Sequence, residues 1–170
     1  PAGCSASTNY AGNKNVEENT MAPDPTQVYV WRIQADCSGA WNGLNLYGSA
    51  GDFTDNQVCI YTSNNADLAS DTARVLVGCT GGFSGNNATL GWFQKATSFG
   101  STSAVSGRYY WLMHTVNTGG DSFVSRYATT ATMWYRTASA YYGTPPDPLP
   151  ETGWSSGSYA PDSMWIGIGD

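Results

Sequence analysis

The chain is poor in the residues that move protons. It holds one His, two Lys and three Glu in 170 residues. General acid–base and nucleophilic catalysis draw mostly on His, Lys, Glu, Asp or a reactive Cys, so the composition points away from an enzyme. Charged residues make up 12% of the chain, about half the usual share in soluble domains. The net charge is −6, and Arg32, Arg74, Arg108, Arg126 and Arg136 are scattered along the sequence. No basic stripe exists to neutralise phosphates, so nucleic acid is not expected as a partner. No run of about 18 apolar residues exists, so no membrane-spanning helix is expected. The four Cys show no C-x-x-C spacing, which argues against a zinc or thioredoxin-like site.

What is present is aromatic and neutral-polar: seven Trp, eleven Tyr and 20 Gly, within a hydrophobic content of 41%. That is enough apolar material for a real core in one domain. With so few charges, solubility must rest on Ser, Thr and Asn, as in many extracellular proteins. Four Cys allow three pairings. The apolar runs around Cys59 and Cys79 suit a hairpin and favour that pair, which leaves Cys4 with Cys37. Four buried free thiols are the alternative. Two disulfides imply an oxidising compartment, and the start at Pro1 suggests a processed N-terminus. The expected location is extracellular or surface-exposed, a virion surface included.

Residues 1–27 lack apolar periodicity and end in the turn-rich 21–25; they read as a polar N-terminal arm. From Val28 the pattern changes. Tyr29, Trp31, Ile33, Ala35 and Cys37 fall on one face and Val30, Arg32, Gln34 and Asp36 on the other, the period of a strand. The same reasoning predicts strands over 41–47, 57–61, 74–79, 89–99, 108–116, 121–128, 132–136 and 164–168. Residues 108–116 are apolar on both faces, which marks a central strand. Residues 48–56 and 62–73 read as loops, as does the Gly/Ser/Asn stretch before 89, and 145–150 as a rigid Pro-rich surface loop. About nine short strands without a convincing helix predict an all-β, single antiparallel β-sandwich or jelly roll over 28–170, preceded by the arm at 1–27.

One resemblance rests on an order of short pieces: Val58-Cys59-Ile60-Tyr61, a polar loop, Val75-Leu76-Val77-Gly78, then Val105-Ser106-Gly107-Arg108-Tyr109-Tyr110-Trp111-Leu112. Arg126-Tyr127, Tyr141-Tyr142-Gly143 and Pro146-Asp147-Pro148-Leu149-Pro150 follow. This order resembles a loosely defined group of secreted β-sandwich domains of bacterial surface and phage structural proteins, over about residues 28–170. The resemblance implies a non-catalytic, jelly-roll-like module on a cell or virion surface. It brings no set of functional residues, and neither the cysteines nor the arm belong to it.

No motif in the chain carries a recognisable catalytic arrangement. His114 is the sole candidate base and lies inside a predicted strand, where it reads as a packed residue. Gly82-Phe83-Ser84-Gly85-Asn86 lacks the last Gly of a nucleophile elbow. A glycosidase needs two placed carboxylates; Glu17, Glu18 and Glu151 lie on the arm and in the Pro-rich loop, and none of the ten Asp has a telling context. No catalytic residue and no cofactor are therefore assigned. Asp52 with Asp55, and Asp67 with Asp71, share loops in which carbonyls would help hold a structural Ca²⁺; solvated turn residues are the plainer reading. Trp and Tyr stack on sugars or anchor interfaces. Trp31 and Trp111 read as core, whereas Trp154, Tyr141 and Tyr142 lie in loop contexts and are the candidate ligand-binding residues.

Two functions are compatible with this inventory, of which the sequence favours the first and keeps the second as the alternative. The first is a structural subunit of an extracellular assembly, a filament, pilus-like fibre or virion surface, forming a homo-oligomer or polymer through the arm or sheet edges by strand addition. The second is a carbohydrate-binding module or adhesin domain with glycan as partner, which requires a row of exposed Trp and Tyr. Aromatic exposure and the place of the arm separate the two.

Overall fold

The computed structural model describes residues 4–12, 14, 24, 26–48, 51–87, 91–117, 132–137, 141–157 and 164–169; of 48, 51–55, 84–87 and 96–98 it describes only the backbone. The chain is all-β. Its strands are β1 (Tyr10–Gly12), β2 (Gln27–Gln34), β3 (Trp41–Gly48), β4 (Gly51–Thr62), β5 (Leu76–Cys79), β6 (Phe83–Asn87), β7 (Gly91–Ser98), β8 (Tyr109–Val116), β9 (Met133–Thr137), β10 (Ser155–Gly157) and β11 (Met164–Ile168). A 3₁₀ turn spans Leu68–Ser70, and Tyr141 also has 3₁₀ geometry.

Two antiparallel sheets pack face to face. The smaller has the order β1-β11-β3-β7; the larger runs β10-β9-β2-β8-β4-β5, with β6 also pairing with β4. The expected sandwich is thus present. Its interior takes alternate residues from both sheets: Tyr29, Trp31 and Ile33 of β2, Val58 and Ile60 of β4 and Leu112 of β8 meet Leu44 and Leu46 of β3 and Met164, Ile166 and Ile168 of β11. His114 points into the same interior, fully buried, with Nε2 2.9 Å from Asn56 Oδ1.

The larger sheet is covered on its outer face as well. Val28, Val30, Cys59, Tyr61, Trp111 and Met113 form a second cluster, closed by Leu68 and Leu149. Residues 62–74 and 141–154 form this lid. That third layer is why β8 is apolar on both faces. The Pro-rich segment expected at the surface is therefore half core: Leu149 is completely buried, and Tyr61 donates its hydroxyl to Pro146 O at 3.0 Å.

Several boundaries differ from expectation. Residues 51–56, read as loop, are the first half of β4, and they pair with 83–87, also read as loop. Both stretches are polar and Gly-rich. Cross-strand pairing, with a bulge between Phe53 and Asn56, overrides their weak β propensity. β10 was not anticipated, and the strand expected at 121–128 lies outside the described residues. Within the arm, Tyr10–Gly12 is an edge strand of the smaller sheet rather than a segment outside the core. It pairs with β11, bridges to Ala35 through Ala11, and buries Ala11 to 1% exposure.

Both favoured disulfides form. Cys59–Cys79 joins directly opposed residues of β4 and β5, and Cys4–Cys37 ties the N-terminal segment to the chain just after β2. Two closed disulfides suit a non-reducing setting. No helix among the described residues is long and apolar enough to cross a membrane.

Candidate functional site: an aromatic face on the smaller sheet

Among the described residues, no segment packs over the outer face of the smaller sheet as the lid packs over the larger one. The smaller sheet's outward positions follow from alternation. On β3, Leu44 and Leu46 point inward, so Asn45 and Tyr47 point outward; on β11, Met164 and Ile166 are buried and Trp165 faces out. Register then aligns the outward residues. Tyr47 lies opposite Trp92 of β7, and Asn45 lies between Trp165 of β11 and Gln94 of β7. Tyr10 of β1 completes the row.

These rings form one continuous run across all four strands. Tyr10 and Trp165 meet edge to face at 5.9 Å between centroids, Trp165 and Trp92 at 6.4 Å, and Trp92 and Tyr47 at 5.3 Å. Interplanar angles of 68–72° make the surface stepped rather than flat. Trp92 is 38% exposed. Lys14, just beyond β1, holds its ammonium 3.7 Å from the Tyr10 ring centroid and 4.3 Å from that of Trp165, a cation–π geometry. Two shallow depressions of about 350 and 370 Å³ flank Trp165. One is lined by Asn42, Asn45 and Gln94, the other by Lys14, Asn45 and Trp92. Apolar ring faces next to side-chain amides suit a ligand with both C–H faces and hydroxyls.

A bulge decides which aromatics join this face. Trp41 shares the odd-numbered phase of Asn45 and Tyr47, yet it is 3% exposed and packs edge to face on Tyr110 at 4.8 Å. The pairing slips between Asn42 and Leu44, where Gly43 adopts φ +73°. That left-handed residue, which glycine accepts without a Cβ penalty, reverses the phase and turns Trp41 into the core.

The residues singled out from sequence lie elsewhere. Trp154 is half-buried in the lid, donates Nε1–H to Pro150 O at 2.8 Å and packs with Tyr141 on the outer cluster. The Arg136 guanidinium sits 5.4 Å from both ring centroids. Tyr142 is half-buried with its hydroxyl over Gly82. The structure brings Trp154 and Tyr141 together, but as packing for the lid rather than as an open platform. Trp31 and Trp111 are core residues, as expected.

The acidic candidates are also accounted for locally. Asp67 caps the 3₁₀ turn, accepting from Ala69 N at 3.1 Å and Ser70 Oγ at 2.9 Å. Asp71 is 1% exposed and accepts five hydrogen bonds. Trp111 Nε1 (2.8 Å), Ser63 Oγ (2.8 Å), Asn64 N (2.9 Å) and Asn65 N (3.1 Å) donate to Oδ2, and Ala73 N (2.7 Å) donates to Oδ1. Burial pushes the pKa of this carboxyl up, but the bonds from Ala73, Trp111, Asn65 and Ser63 outweigh it and hold the group below its ordinary range. Asp52 and Asp55 fall on β4 instead of in a loop, and their side chains lie outside the described ones. No group of three or more His, Cys, Asp or Glu among the described residues is placed to hold a metal ion.

No protein-family model, curated protein or solved structure matches the chain. The resemblance to secreted β-sandwich domains therefore rests on the order of sequence pieces alone.

The aromatic face escaped the sequence reading because its four rings come from four strands far apart in the chain. Each ring carried one legible signal. Tyr47, Trp92 and Trp165 each neighbour an inward-facing apolar residue, so alternation alone turns them outward. Which outward faces meet is tertiary information.

Proposed function

We propose that the protein is a non-enzymatic carbohydrate-binding module whose ligand lies across the outer face of the smaller sheet. The observation that carries this reading is the run of Tyr10, Trp165, Trp92 and Tyr47 over four adjacent strands, with Asn42, Asn45 and Gln94 beside it. Ring faces take the C–H faces of pyranoses, and amides exchange hydrogen bonds with their hydroxyls. The stepped packing of the rings suits a single glycan chain or a short oligosaccharide better than a crystalline polysaccharide surface. Two disulfides and a charged content of only 12% fit an extracellular binder.

The assembly reading has weaker support. The strand within the arm, Tyr10–Gly12, completes its own sheet against β11, the placement that argues against donating this strand to a neighbour. Addition to the outer edges of β5, β7 or β10 remains the form in which assembly is open to test.

A glycan array tests the proposal. The folded protein is expected to retain a defined set of glycans, and Trp92→Ala, at an exposed position, is expected to lose them while keeping the wild-type circular dichroism spectrum. Stacking on one ring is worth about 1 kcal/mol beyond buried area, so each ring removed weakens binding about fivefold to tenfold. An array on which the wild type stays silent would sink the reading.

A further inference from the structure

Three of the four large hydrophobic side chains that stand exposed among the described residues line one groove: Val75, Val105 and Tyr109. The groove encloses about 760 Å³, within the range of small-molecule sites. It lies where the lid over the larger sheet stops, between the start of the β4–β5 connection and the segment leading into β8. It is remote in the fold from the aromatic face, which belongs to the other sheet.

Two of the five arginines of this acidic chain converge there. Arg32 reaches over Tyr109, with its guanidinium carbon 3.9 Å from the ring centroid, and Nε–H donates to Ser63 Oγ at 3.0 Å. Stacking and this bond fix the guanidinium plane and use one of its five N–H donors. Arg108 lines the same groove and is exposed. Neither enters an ion pair; the only ion pair among the described residues joins Arg74 and Glu151. No Asp or Glu occurs among the described residues that line the groove. Asp71 lies behind Ser63, which bridges it to Arg32 Nε, and no described carboxylate lines the groove itself, so an anion there gains from Arg108 and from the remaining Arg32 donors.

We infer that this groove binds an organic carboxylate attached to a branched or aromatic apolar group. Arg32 and Arg108 take the carboxylate, with the Thr102 and Ser103 hydroxyls beside them. Val75, Val105 and Tyr109 take the apolar body. A free organic acid and the C-terminal residue of a polypeptide share this chemistry, and the choice of probes separates them.

The test is an amide ¹H–¹⁵N NMR titration with 4-methylpentanoate, with the tripeptide Ala-Ala-Leu, and with the primary amide of each. The two acids are expected to shift residues 62–64 and 102–110 saturably. Each neutral amide is expected to bind at least about tenfold more weakly, the usual scale for losing a charge-assisted pair. Arg32→Met and the exposed Arg108→Ala are each expected to weaken the acids by about tenfold on the same grounds. Trp92→Ala is expected to leave them unchanged, which separates this site from the glycan face. Tighter binding of the tripeptide assigns the groove to a polypeptide terminus, and tighter binding of 4-methylpentanoate assigns it to a free acid. Absence of shifts, or equal affinity for acid and amide, overturns the inference.

Discussion

Replacing Asp71 by Asn removes one carboxylate oxygen and the charge while preserving shape, and the structure lets the cost be worked out. The Asn carbonyl does best at the Oδ2 position, where it keeps Trp111, Ser63, Asn64 and Asn65 as donors. Its NH₂ must then face the backbone N–H of Ala73, which donated to Oδ1. One buried donor loses its acceptor, a cost of about 1–3 kcal/mol. The four bonds that remain lose their charge assistance, which roughly halves each. A net loss of about 3 kcal/mol is expected at pH 7, or about 6–12 °C in Tm for a chain of this size. The pH dependence supplies a control. Because the folded-state pKa of Asp71 is lowered, its ionised form stabilises the fold above the unfolded pKa of about 3.9, and that stabilisation is lost as pH falls through the folded value. Thermal unfolding of wild type and Asp71→Asn by circular dichroism, from pH 7 to pH 2.5, is expected to show a large gap that closes in acid. A gap under about 0.5 kcal/mol at pH 7, the scatter of ordinary surface substitutions, would refute the view that this carboxylate organises residues 62–74.

Three further outcomes follow from particular contacts. Gly78→Ala places a methyl group against the Phe99 carbonyl, which packs on the Gly78 backbone; a loss of about 2–4 kcal/mol in chemical denaturation is expected from this overpacking. Removing the Cys59–Cys79 bridge as Cys59→Ala with Cys79→Ala frees a loop of sequence separation 20, expected to cost about 3 kcal/mol in urea unfolding. The Tyr61 hydroxyl is buried beside Asp147 and Tyr141, and burial first of all holds its pKa above the ordinary tyrosine value. The folded state keeps this proton more tightly, so stability is expected to fall as pH rises above about 10. Tyr61→Phe is expected to flatten that alkaline limb in a stability–pH profile.

The strands that could be read from the chain are those whose alternation is set by burial. β2, β8 and β11 fall within two residues of expectation at most ends because Trp31, Leu112 or Ile166 has to face a core. The exception at the end of β2 is instructive. Ala35 and Cys37 continue the odd-numbered phase, but the ladder stops at Gln34 and the chain turns to meet β1 and Cys4. Polar stretches such as 51–56 and 83–87 become strands only because each finds the other as partner, which no local pattern records. The same holds for the candidate site. Asp71 was visible as an acid in a loop, but its five donors come from residues 63–65, 73 and 111. Trp154 was legible as a loop aromatic, and only the fold shows it serving the lid. Alternation turned Trp92 and Trp165 outward, but only register brought them together on one face of the smaller sheet.

The most direct test of the glycan face uses the indole N–H signals of the seven Trp in a ¹H–¹⁵N spectrum, recorded during titration with a panel of soluble oligosaccharides. The account predicts saturable shifts at Trp92 and Trp165, with Trp31, Trp111 and Trp154 unmoved. Shifts confined to Trp154, or an unchanged spectrum across the panel, would contradict it.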